Sequence, residues 1–374
     1  MTGGVGFGVF SVGGNEPRVG FRVGHGILDL AGAGLGAVFK AHSINPFLAL
    51  GRSAWEDALV RIDQLVTGGA EIIPLEQTTT HLPIEVGDYV DFYSSLEHAT
   101  NLGRLFRPDA EPLLPNWRHL PVGYHGRSGT VVVGGTPVVR PCGQAKLADD
   151  PAPRFGPSRR LDIELELGFV VGVGSRLGEP VPASALRDHV FGVVLVNDWS
   201  ARDIQAWEYQ PLGPFLGKSF ATSIAGWVTP LALLADRFVP SPRQDPEPLP
   251  YLRVAGDWAL DIELEIELSG TVVSRANARE LYWTMPQQLA HATVNGASIA
   301  TGDLFASGTI SGPEHGSEGS LIELTWNGSR PIRLGDGSTR TFLEDGDEVV
   351  IRGRAGELEL GEVRGTILPA GAGA

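Results

Sequence analysis

The chain has 374 residues, which is long enough for two domains. Its net charge of −15 argues against a nucleic-acid partner or an anionic membrane, because both are bound by clustered Lys and Arg. A single cysteine excludes an internal disulfide and disfavours a cysteine-based metal site, and the lack of a signal peptide or of an apolar run of about 20 residues favours a cytoplasmic protein.

The first part of the chain is predicted to be rich in strands. Short Val, Phe and Ile segments alternate with glycine turns over residues 1–40, which is typical of small hairpins. Residues 53–66 have the apolar spacing of an amphipathic helix. The stretch 75–87 is predicted to be connecting chain. We therefore divide the sequence into a small N-terminal β domain, 1–84, and a large second domain, 85–374.

A second helix is predicted to begin at Ser94, because Ser94 and Glu97 have the spacing of a capping box. His98 follows near the start of this helix. A histidine here suits a general base better than a zinc ligand, since the sequence has no HxxxH or HExxH spacing. The alternative is an exposed helix histidine with no function. Beyond a long loop, residues 129–139 are predicted to form a pair of strands.

Two acidic segments share nearly the same pattern. Strand side chains alternate, so the segment LDIELELGF places Asp162, Glu164 and Glu166 on one face. Such a set of carboxylates suits Ca²⁺ or Mg²⁺. The alternative is a strand with a solvated acidic face, and the near copy LDIELEIEL, residues 260–268, strengthens it because the same pattern occurs twice. The pattern alone favours that second interpretation for both segments, although the first runs into a fully apolar stretch.

The stretch from Asn197 to Thr222 has an unusual polar pattern. An apolar strand, Val190 to Val196, leads into it, and Asn197 or Asp198 is predicted to cap a helix. On that helix one face would be polar, with Asp198, Arg202, Gln205 and Tyr209. Lys218 follows in a glycine-rich turn. A lined pocket and a surface helix with ion pairs explain this pattern equally well.

The remaining sequence is again predicted to consist mainly of strands. These strands cover residues 261–268, 321–326, 348–352 and 358–363, and a helix over residues 282–294 interrupts them. The order of elements indicates a β-rich α+β protein, not a regular βαβ array. The sequence has no GxSxG, GxGxxG or Walker motif, which disfavours a nucleophile-elbow hydrolase and a nucleotide site.

Five segments in order resemble the fumarylacetoacetase family. They are DFYSSLEHATN (91–101), LLPNWRHLPVGYHGR (113–127), LDIELELGF (161–169), NDWSARDIQAWEYQPLGPFLGKSF (197–220) and SGTISG (307–312). The resemblance implies a large C-terminal mixed β-roll of the fumarylacetoacetase type. It implies, more loosely, a small N-terminal SH3-like barrel over residues 1–84.

The resemblance also implies a divalent-cation site that holds Ca²⁺ and/or Mg²⁺. Its ligands would be Asp91, Glu164, Glu166 and Asp198, so that the first acidic segment is the site and the second is not. The family carries a second cation position that matches Lys218 and Thr222.

The implied activity is hydrolysis of a carbon–carbon bond in fumarylacetoacetate, the last step of tyrosine and phenylalanine breakdown, in a homodimer that acts on this small diketo acid. His98 matches the general base and Glu323 the carboxylate that orients it, while Arg202, Gln205 and Lys218 match the groups that stabilise developing negative charge. The matching substrate contacts are Tyr93, Arg107, Tyr124, Tyr209 and Thr309.

One departure and two alternatives accompany this resemblance. Family members often have Arg-Gln before the base, whereas this chain has Leu96-Glu97, and a Glu97 that faced the pocket would repel an anionic substrate. An acylpyruvate hydrolase, or a decarboxylase or isomerase of related keto acids, is the nearest alternative enzyme. A non-catalytic cation-binding β-protein is the alternative outside enzymes.

Overall fold

Short strands and a few helices make up the molecule, in agreement with the predicted β-rich α+β class. The computed structural model describes residues 3–146 and 150–371. Its α-helices are α1 (Asn45–Leu48), α2 (Arg52–Thr67), α3 (Leu96–Phe106), α4 (Leu186–His189), α5 (Arg202–Glu208), α6 (Met285–Thr293) and α7 (Leu321–Leu324). Within these two ranges, no helix combines the length and the apolar character needed to cross a membrane.

Strands occupy much of the remaining chain. The first thirteen are β1 (Gly3–Val12), β2 (Arg18–Val23), β3 (Gly26–Asp29), β4 (Ile73–Pro74), β5 (Thr78–His81), β6 (Tyr89–Phe92), β7 (Gly123–His125), β8 (Val131–Val133), β9 (Val138–Val139), β10 (Cys142–Ala145), β11 (Arg154–Pro157), β12 (Leu161–Asp162) and β13 (Leu165–Val171). The others are β14 (Val190–Asp198), β15 (Ser200–Ala201), β16 (Thr222–Ile224), β17 (Trp227–Pro230), β18 (Phe238–Val239), β19 (Ala259–Leu260), β20 (Glu263–Leu268), β21 (Thr271–Asn277), β22 (Leu304–Ala306), β23 (Ile332–Arg333), β24 (Thr339–Arg340), β25 (Glu348–Ala355) and β26 (Leu358–Leu368).

Three mainly apolar strands at the centre of the large mixed sheet, β13, β14 and β22, are buried along their whole length. β13 pairs antiparallel with both β14 and β22, and β22 pairs in parallel with β6. β14 also pairs antiparallel with β16, which places Asp198 opposite Thr222. This register brings together three chain segments that are far apart in sequence, namely the ends of β6 and β14 and the start of β13.

The N-terminal strands pack directly onto this central sheet. β1 pairs antiparallel with β2, and β2 with β3, as the predicted hairpins require, while β1 also pairs with β5 and with β17 from the later part of the chain. The Phe7 ring lies 4.9 Å from the ring of Phe47 and 5.5 Å from that of Phe191. One hydrophobic core therefore contains residues from both sides of position 84. The domain division at that position stays a prediction.

The predicted helix start at Asn197 or Asp198 is wrong. β14 continues through Asp198, because the backbone of Asp198 pairs with Thr222 and the Asp198 amide donates to the Glu164 carbonyl at 3.3 Å. α5 begins only at Arg202, so Asp198 does not share a helical face with Gln205 and Tyr209.

Three smaller predictions also need correction. Residues 321–326 were predicted as a strand, but they begin with the short helix α7. The strands predicted over 129–139 exist as β8 and β9, yet β8 pairs with β16 and β9 with β26 instead of with each other. The stretch 75–87 contains β5, which pairs with β1 and is more than connecting chain.

The start of α3 differs by one residue from the prediction, and this changes its cap. The N-cap is Ser95, whose Oγ accepts a hydrogen bond from the His98 amide at 3.2 Å. His98 therefore occupies the position that the predicted capping box gave to Glu97. The same hydrogen bond fixes the backbone of His98 at the first turn of the helix.

Candidate active site

A cavity of about 580 Å³ lies between α3, α5 and the loop that follows Arg107. Its walls contain most of the predicted site residues, namely Asp91, Tyr93, His98, Arg107, Tyr124, Glu164, Arg202, Gln205, Tyr209, Lys218 and Thr309. Four others lie in the layer behind these walls, namely Glu166, Asp198, Thr222 and Glu323. The structure thus brings together residues that are spread over more than 230 positions of the sequence.

Four buried carboxylates form a compact cluster beside this cavity. Asp91, Glu164, Glu166 and Asp198 each offer one oxygen, and these oxygens all lie within 4.8 Å of one another. The strand register explains the cluster, since Asp91 lies near the end of β6 beside β22, while Glu166 and Asp198 lie on the adjoining β13 and β14. The clustered residues are the predicted metal ligands.

The electrostatics of this cluster fit a divalent cation. Among the described residues, Asp91 Oδ1 and Glu166 Oε1 are buried without any hydrogen-bond partner. Burial, together with the neighbouring carboxylates, raises the pKa of both Asp91 and Glu166 well above their ordinary values. Buried carboxylate oxygens that lack partners and repel one another are stabilised by a bound cation, and an all-oxygen set is the one that Ca²⁺ and Mg²⁺ prefer.

Lys218 already neutralises one side of the cluster. Its Nζ lies 2.7 Å from Asp198 Oδ2 and also contacts Glu164 Oε2. Although burial acts in the opposite direction, Lys218 and Arg202 hold the pKa of Glu164 well below its ordinary value. Thr222 donates its hydroxyl to Asp198 Oδ1 at 2.9 Å. The cluster therefore combines Glu164, which is held ionised beside Lys218, with Asp91 and Glu166, whose carboxyl groups are prone to protonation.

Cation binding should consequently depend on pH. Because the raised pKa values let the folded protein hold more protons than the unfolded chain, the stability of the metal-free protein should fall as pH rises above the ordinary values of 3.8 for Asp91 and 4.5 for Glu166. A cation competes with those protons, so its stabilising effect should grow with pH. At a hundredfold excess over Kd this effect is about 2.7 kcal/mol.

Thermal unfolding of chelator-treated protein with and without added Ca²⁺ or Mg²⁺ measures this effect. We expect the cation-induced rise in melting temperature to be larger at pH 8 than at pH 5.5. An equal rise at both pH values would contradict the proton competition.

On the other side of the cavity, His98 and Glu323 form a buried pair. His98 Nδ1 lies 2.6 Å from Glu323 Oε2, and the two side chains are 3% and 0% exposed. Burial alone would raise the pKa of Glu323, but His98 and several hydrogen bonds lower it below its ordinary value. An ionised Glu323 accepts the proton of His98 Nδ1, which leaves His98 Nε2 free to accept another proton. The predicted exposed-histidine alternative is wrong.

Three further residues, which sequence reasoning missed, hold Glu323 in place. Asn101 Nδ2 donates to Oε1 at 3.0 Å, Ser311 Oγ lies 3.0 Å from both oxygens, and Ser320 Oγ donates to Oε2 at 2.6 Å. A spacing signal existed for two of them, because Asn101 lies three residues after His98 on α3 and Ser320 three residues before Glu323. Ser311 carried no such signal.

Arg202 connects the carboxylate cluster with the rest of the cavity. Its Nη1 lies 2.6 Å from Glu164 Oε1, and its Nε donates to Asp162 Oδ2 at 2.8 Å. Its Nη2 is buried and has no partner in the described part of the chain, so it is available to a ligand. Gln205 lies one turn further along α5, with Oε1 3.5 Å from Arg202 Nη1. Together with Lys218, these residues place donors on one wall.

The predicted substrate contacts surround the remaining space. Arg107 Nε and Thr309 Oγ1 are buried and unpartnered within the described chain, while Arg107 Nη2 is held by the Pro112 carbonyl at 2.7 Å. Tyr124 donates to Asp198 Oδ2 at 3.1 Å, and the Tyr93 ring lies edge-on to the His98 ring at 5.2 Å. Tyr209, 42% exposed, stands at the mouth of the cavity.

The second acidic segment has a different environment. Glu263 pairs with Arg354 at 2.7 Å, and Glu267 pairs with Arg352 at the same distance, on a partly exposed face of β20. These carboxylates have cationic partners on the neighbouring strand and so do not need a metal ion. Glu97 does not contribute to the cavity wall, although its neighbours His98 and Ala99 do. Its negative charge therefore does not face a ligand in the cavity.

The chain is similar to known proteins over nearly its whole length. The profile described as "Fumarylacetoacetate (FAA) hydrolase C-terminal" matches residues 89–368, and the one described as "Fumarylacetoacetase N-terminal" matches residues 5–83. Fumarylacetoacetase from Homo sapiens is 48% identical over an alignment of 397 residue positions, gaps included, which covers 97% of this chain and 95% of that protein. Fumarylacetoacetase from Caenorhabditis elegans is 46% identical over 398 residues, with the same coverage.

Solved structures with lower identity share the fold. The crystal structure of maleylpyruvate hydrolase from Sphingobium sp. SYK-6, in complex with a manganese(II) ion and pyruvate, has a TM-score of 0.58 at 17% identity and covers 98% of this chain and 100% of that one. Fumarylacetoacetate hydrolase from Exiguobacterium antarcticum has a TM-score of 0.55 at 15% identity, with coverage of 98% and 99%.

Proposed function

This chain belongs to the fumarylacetoacetase family, and we propose the roles of its residues on that premise. It is a hydrolase that cleaves a carbon–carbon bond of fumarylacetoacetate with water, giving fumarate and acetoacetate, the last step of tyrosine and phenylalanine breakdown. One observation supports the assignment of roles most strongly. A buried His98–Glu323 pair and a buried carboxylate cluster lie on two sides of the same cavity, with His98, Asp91 and Glu164 in its walls.

His98 is the general base in this proposal. Glu323 holds Nδ1, so Nε2 takes a proton from the attacking water, and the negative charge of Glu323 stabilises the imidazolium that forms. Glu323 remains ionised throughout, in keeping with its lowered pKa. When the bond breaks, the same imidazolium returns its proton to the carbon of the leaving acetoacetate, which departs as an enolate.

Arg202, Gln205 and Lys218 stabilise the negative charge that develops on the attacked carbonyl oxygen. The unpartnered Nη2 of Arg202 supports this role, because a donor that is already fixed and dry does not have to reorganise during the reaction. Loss of one such donor typically raises the barrier by about 2.7–4 kcal/mol. Lys218 also neutralises Glu164 and Asp198, which allows an anionic substrate to approach.

We assign Asp91, Glu164, Glu166 and Asp198 to a divalent cation, Ca²⁺ or Mg²⁺, on the basis of their all-oxygen donor set. When bound, such a cation supplies Lewis-acid polarisation of the substrate's oxygens. A second cation near Lys218 and Thr222 is part of the same proposal. Thr222 and Lys218 both contact Asp198 and would orient it toward the first cation.

The remaining contacts orient the substrate. Arg107, with its unpartnered Nε, binds a terminal carboxylate, and Thr309 donates its free hydroxyl. Tyr93 completes the cavity wall beside His98, Tyr124 completes it beside the carboxylate cluster, and Tyr209 lies at the mouth of the cavity.

Four further features of the family are proposed for this chain as well. They are a homodimer, a cytoplasmic location, a division into residues 1–84 and 85–374, and an SH3-like barrel in the first of these parts with a β-roll in the second. The profile matches to residues 5–83 and 89–368 support the division.

Substrate competition separates this function from that of an acylpyruvate hydrolase. Arg107 is expected to favour the substrate with a second terminal carboxylate, because a hydrogen bond to a charged group is worth about 1.5–3 kcal/mol. We therefore expect kcat/KM for fumarylacetoacetate to exceed that for acetylpyruvate by about tenfold or more, and Arg107→Met to reduce this ratio. A higher kcat/KM for acetylpyruvate would contradict the proposed function.

A further inference from the structure

Asp162 is a buried carboxylate that the carboxylate cluster does not use. It is 0% exposed, and it lies two residues before Glu164 in the first acidic segment, yet its oxygens are not among those that converge in the cluster. Oδ1 accepts hydrogen bonds from the amides of Leu321 at 2.7 Å and Ile163 at 2.8 Å. Oδ2 accepts from Arg202 Nε at 2.8 Å and from the Ile322 amide at 3.1 Å. Both oxygens are thus occupied.

One pair of these contacts determines where Glu323 lies. Glu323 is the third residue of α7, and the N-cap residue Ser320 provides no side-chain cap, because its hydroxyl donates to Glu323 instead. The first amides of a helix have no partner within the helix. Asp162 accepts the amides of Leu321 and Ile322 from a different chain segment, and it thereby anchors the turn that carries Glu323.

The contact with Arg202 Nε determines the orientation of the Arg202 side chain. β12 pairs antiparallel with β15, with Asp162 opposite Ser200, and α5 begins directly afterwards at Arg202. Asp162 binds Nε of Arg202 and Glu164 binds Nη1, so the orientation of the guanidinium plane is fixed. The unpartnered Nη2 therefore points in a single direction. Because an arginine side chain has many rotamers, this direction requires both carboxylates.

We infer that Asp162 is a positioning residue that couples the two halves of the catalytic site, the His98–Glu323 base on one side and the Arg202 donor on the other. The inference rests on the proposed function. A carboxylate is needed because four donors face its two oxygens. An amide offers one oxygen and would turn its own N–H groups toward two of those donors.

The direct test is Asp162→Asn in the full-length, cation-loaded protein. Misplacing a catalytic group by about 1 Å can cost a hundredfold in rate, so we expect kcat for fumarylacetoacetate to fall about 10- to 100-fold. KM should stay within about threefold, because Asp162 does not touch the substrate. The rise in melting temperature on adding Ca²⁺ should remain, because the four cluster carboxylates are unchanged.

Asp347→Asn is the matched control. Asp347 is also a buried carboxylate, held by Arg340 at 2.9 Å and by the Glu344 amide at 2.8 Å, but it does not line the cavity. We expect this variant to lose stability like Asp162→Asn and to keep the wild-type kcat. A loss of kcat only as large as in Asp347→Asn would mean that Asp162 has a general structural role, and would overturn the inference.

A double-mutant cycle tests the coupling itself. Because Asp162 is inferred to act through both Arg202 and the turn that carries Glu323, Asp162→Asn should cost at least about threefold less in kcat when Arg202→Met is already present than it does alone, and the loss that remains is the part that acts through Glu323. Full additivity of the two losses would overturn the inference. If Asp162→Asn does not fold, Asp162→Ser carries the same expectations, because its hydroxyl still accepts an amide proton of α7. Wild-type protein that does not hydrolyse fumarylacetoacetate refutes the proposed function, whereas active wild-type protein with an unimpaired Asp162 variant refutes only the coupling.

Discussion

Replacing His98 with alanine is expected to lower kcat for fumarylacetoacetate by about 10²- to 10⁴-fold, the usual contribution of a general base. The reason is geometric, because His98 lies on the cavity wall and its Nδ1 is held by Glu323. KM should change much less, since the imidazole acts on water. Steady-state kinetics of the purified variant measure both values. Glu323→Gln should lose activity to a similar extent, because the two residues act as a unit.

Two controls make this prediction specific. His42→Ala removes an exposed histidine that pairs with Glu16 at 3.4 Å, outside the cavity walls, and it should leave kcat unchanged. The cation-induced rise in melting temperature should survive in His98→Ala, because the carboxylate cluster is intact. A His98→Ala variant with wild-type kcat would contradict the assignment of the base. A wild-type protein that melts in a cation-dependent way without any turnover would instead support the non-catalytic cation-binding alternative.

Replacing Glu166 with glutamine should have the second large effect. We expect it to weaken Ca²⁺ or Mg²⁺ binding at least about a hundredfold, because one of four charged ligands becomes a neutral amide, and each tenfold in an equilibrium constant is about 1.36 kcal/mol. Turnover at moderate cation concentration should fall with the loss of binding. Isothermal titration calorimetry on chelator-treated protein measures the affinity.

The same variant has a signature in the absence of metal. Glu166 is buried, and its pKa is raised by burial and by Asp91 and Glu164, so its charged form is costly in the metal-free protein. Glu166→Gln should therefore melt higher than the wild type after chelation near neutral pH, and should gain less from added cation. Glu265→Gln in the second acidic segment is the matched control and should change neither property. A Glu166→Gln variant that binds the cation like the wild type would refute the proposed site.

The sequence predicted the strands of the site better than their connections. The apolar runs of β13 and β14 indicated buried strands, and the acidic pattern before the first of them indicated a possible cation site. The pattern could not choose between the two acidic segments, because the choice depends on strand pairing. Arg354 of β25 lies opposite Glu263 of β20 and Arg352 lies opposite Glu265, whereas Glu166 lies beside the apolar Val196. The family resemblance, not the spacing, selected the segment whose Glu164 and Glu166 lie in the buried carboxylate cluster.

The errors share a physical cause. A polar residue at the end of a strand looks like a helix cap, so Asp198 was placed on a helix although long-range pairing with Thr222 keeps it in β14. The short apolar run from Leu321 was predicted as a strand, yet it forms α7, whose first amides are satisfied by Asp162, about 160 positions away. Local sequence contains neither partner, and tertiary contacts override local preference in both places.

Hydrolysis of fumarylacetoacetate by purified protein, followed as loss of its absorbance, tests the central claim most directly. The protein is measured with Ca²⁺ or Mg²⁺, after complete chelation confirmed by metal analysis, and after the cation is restored. We predict turnover with the cation, a rate at least about a hundredfold lower after chelation, and recovery on restoration. No loss of absorbance with the cation present, or undiminished turnover after complete chelation, would contradict a cation-dependent carbon–carbon hydrolase.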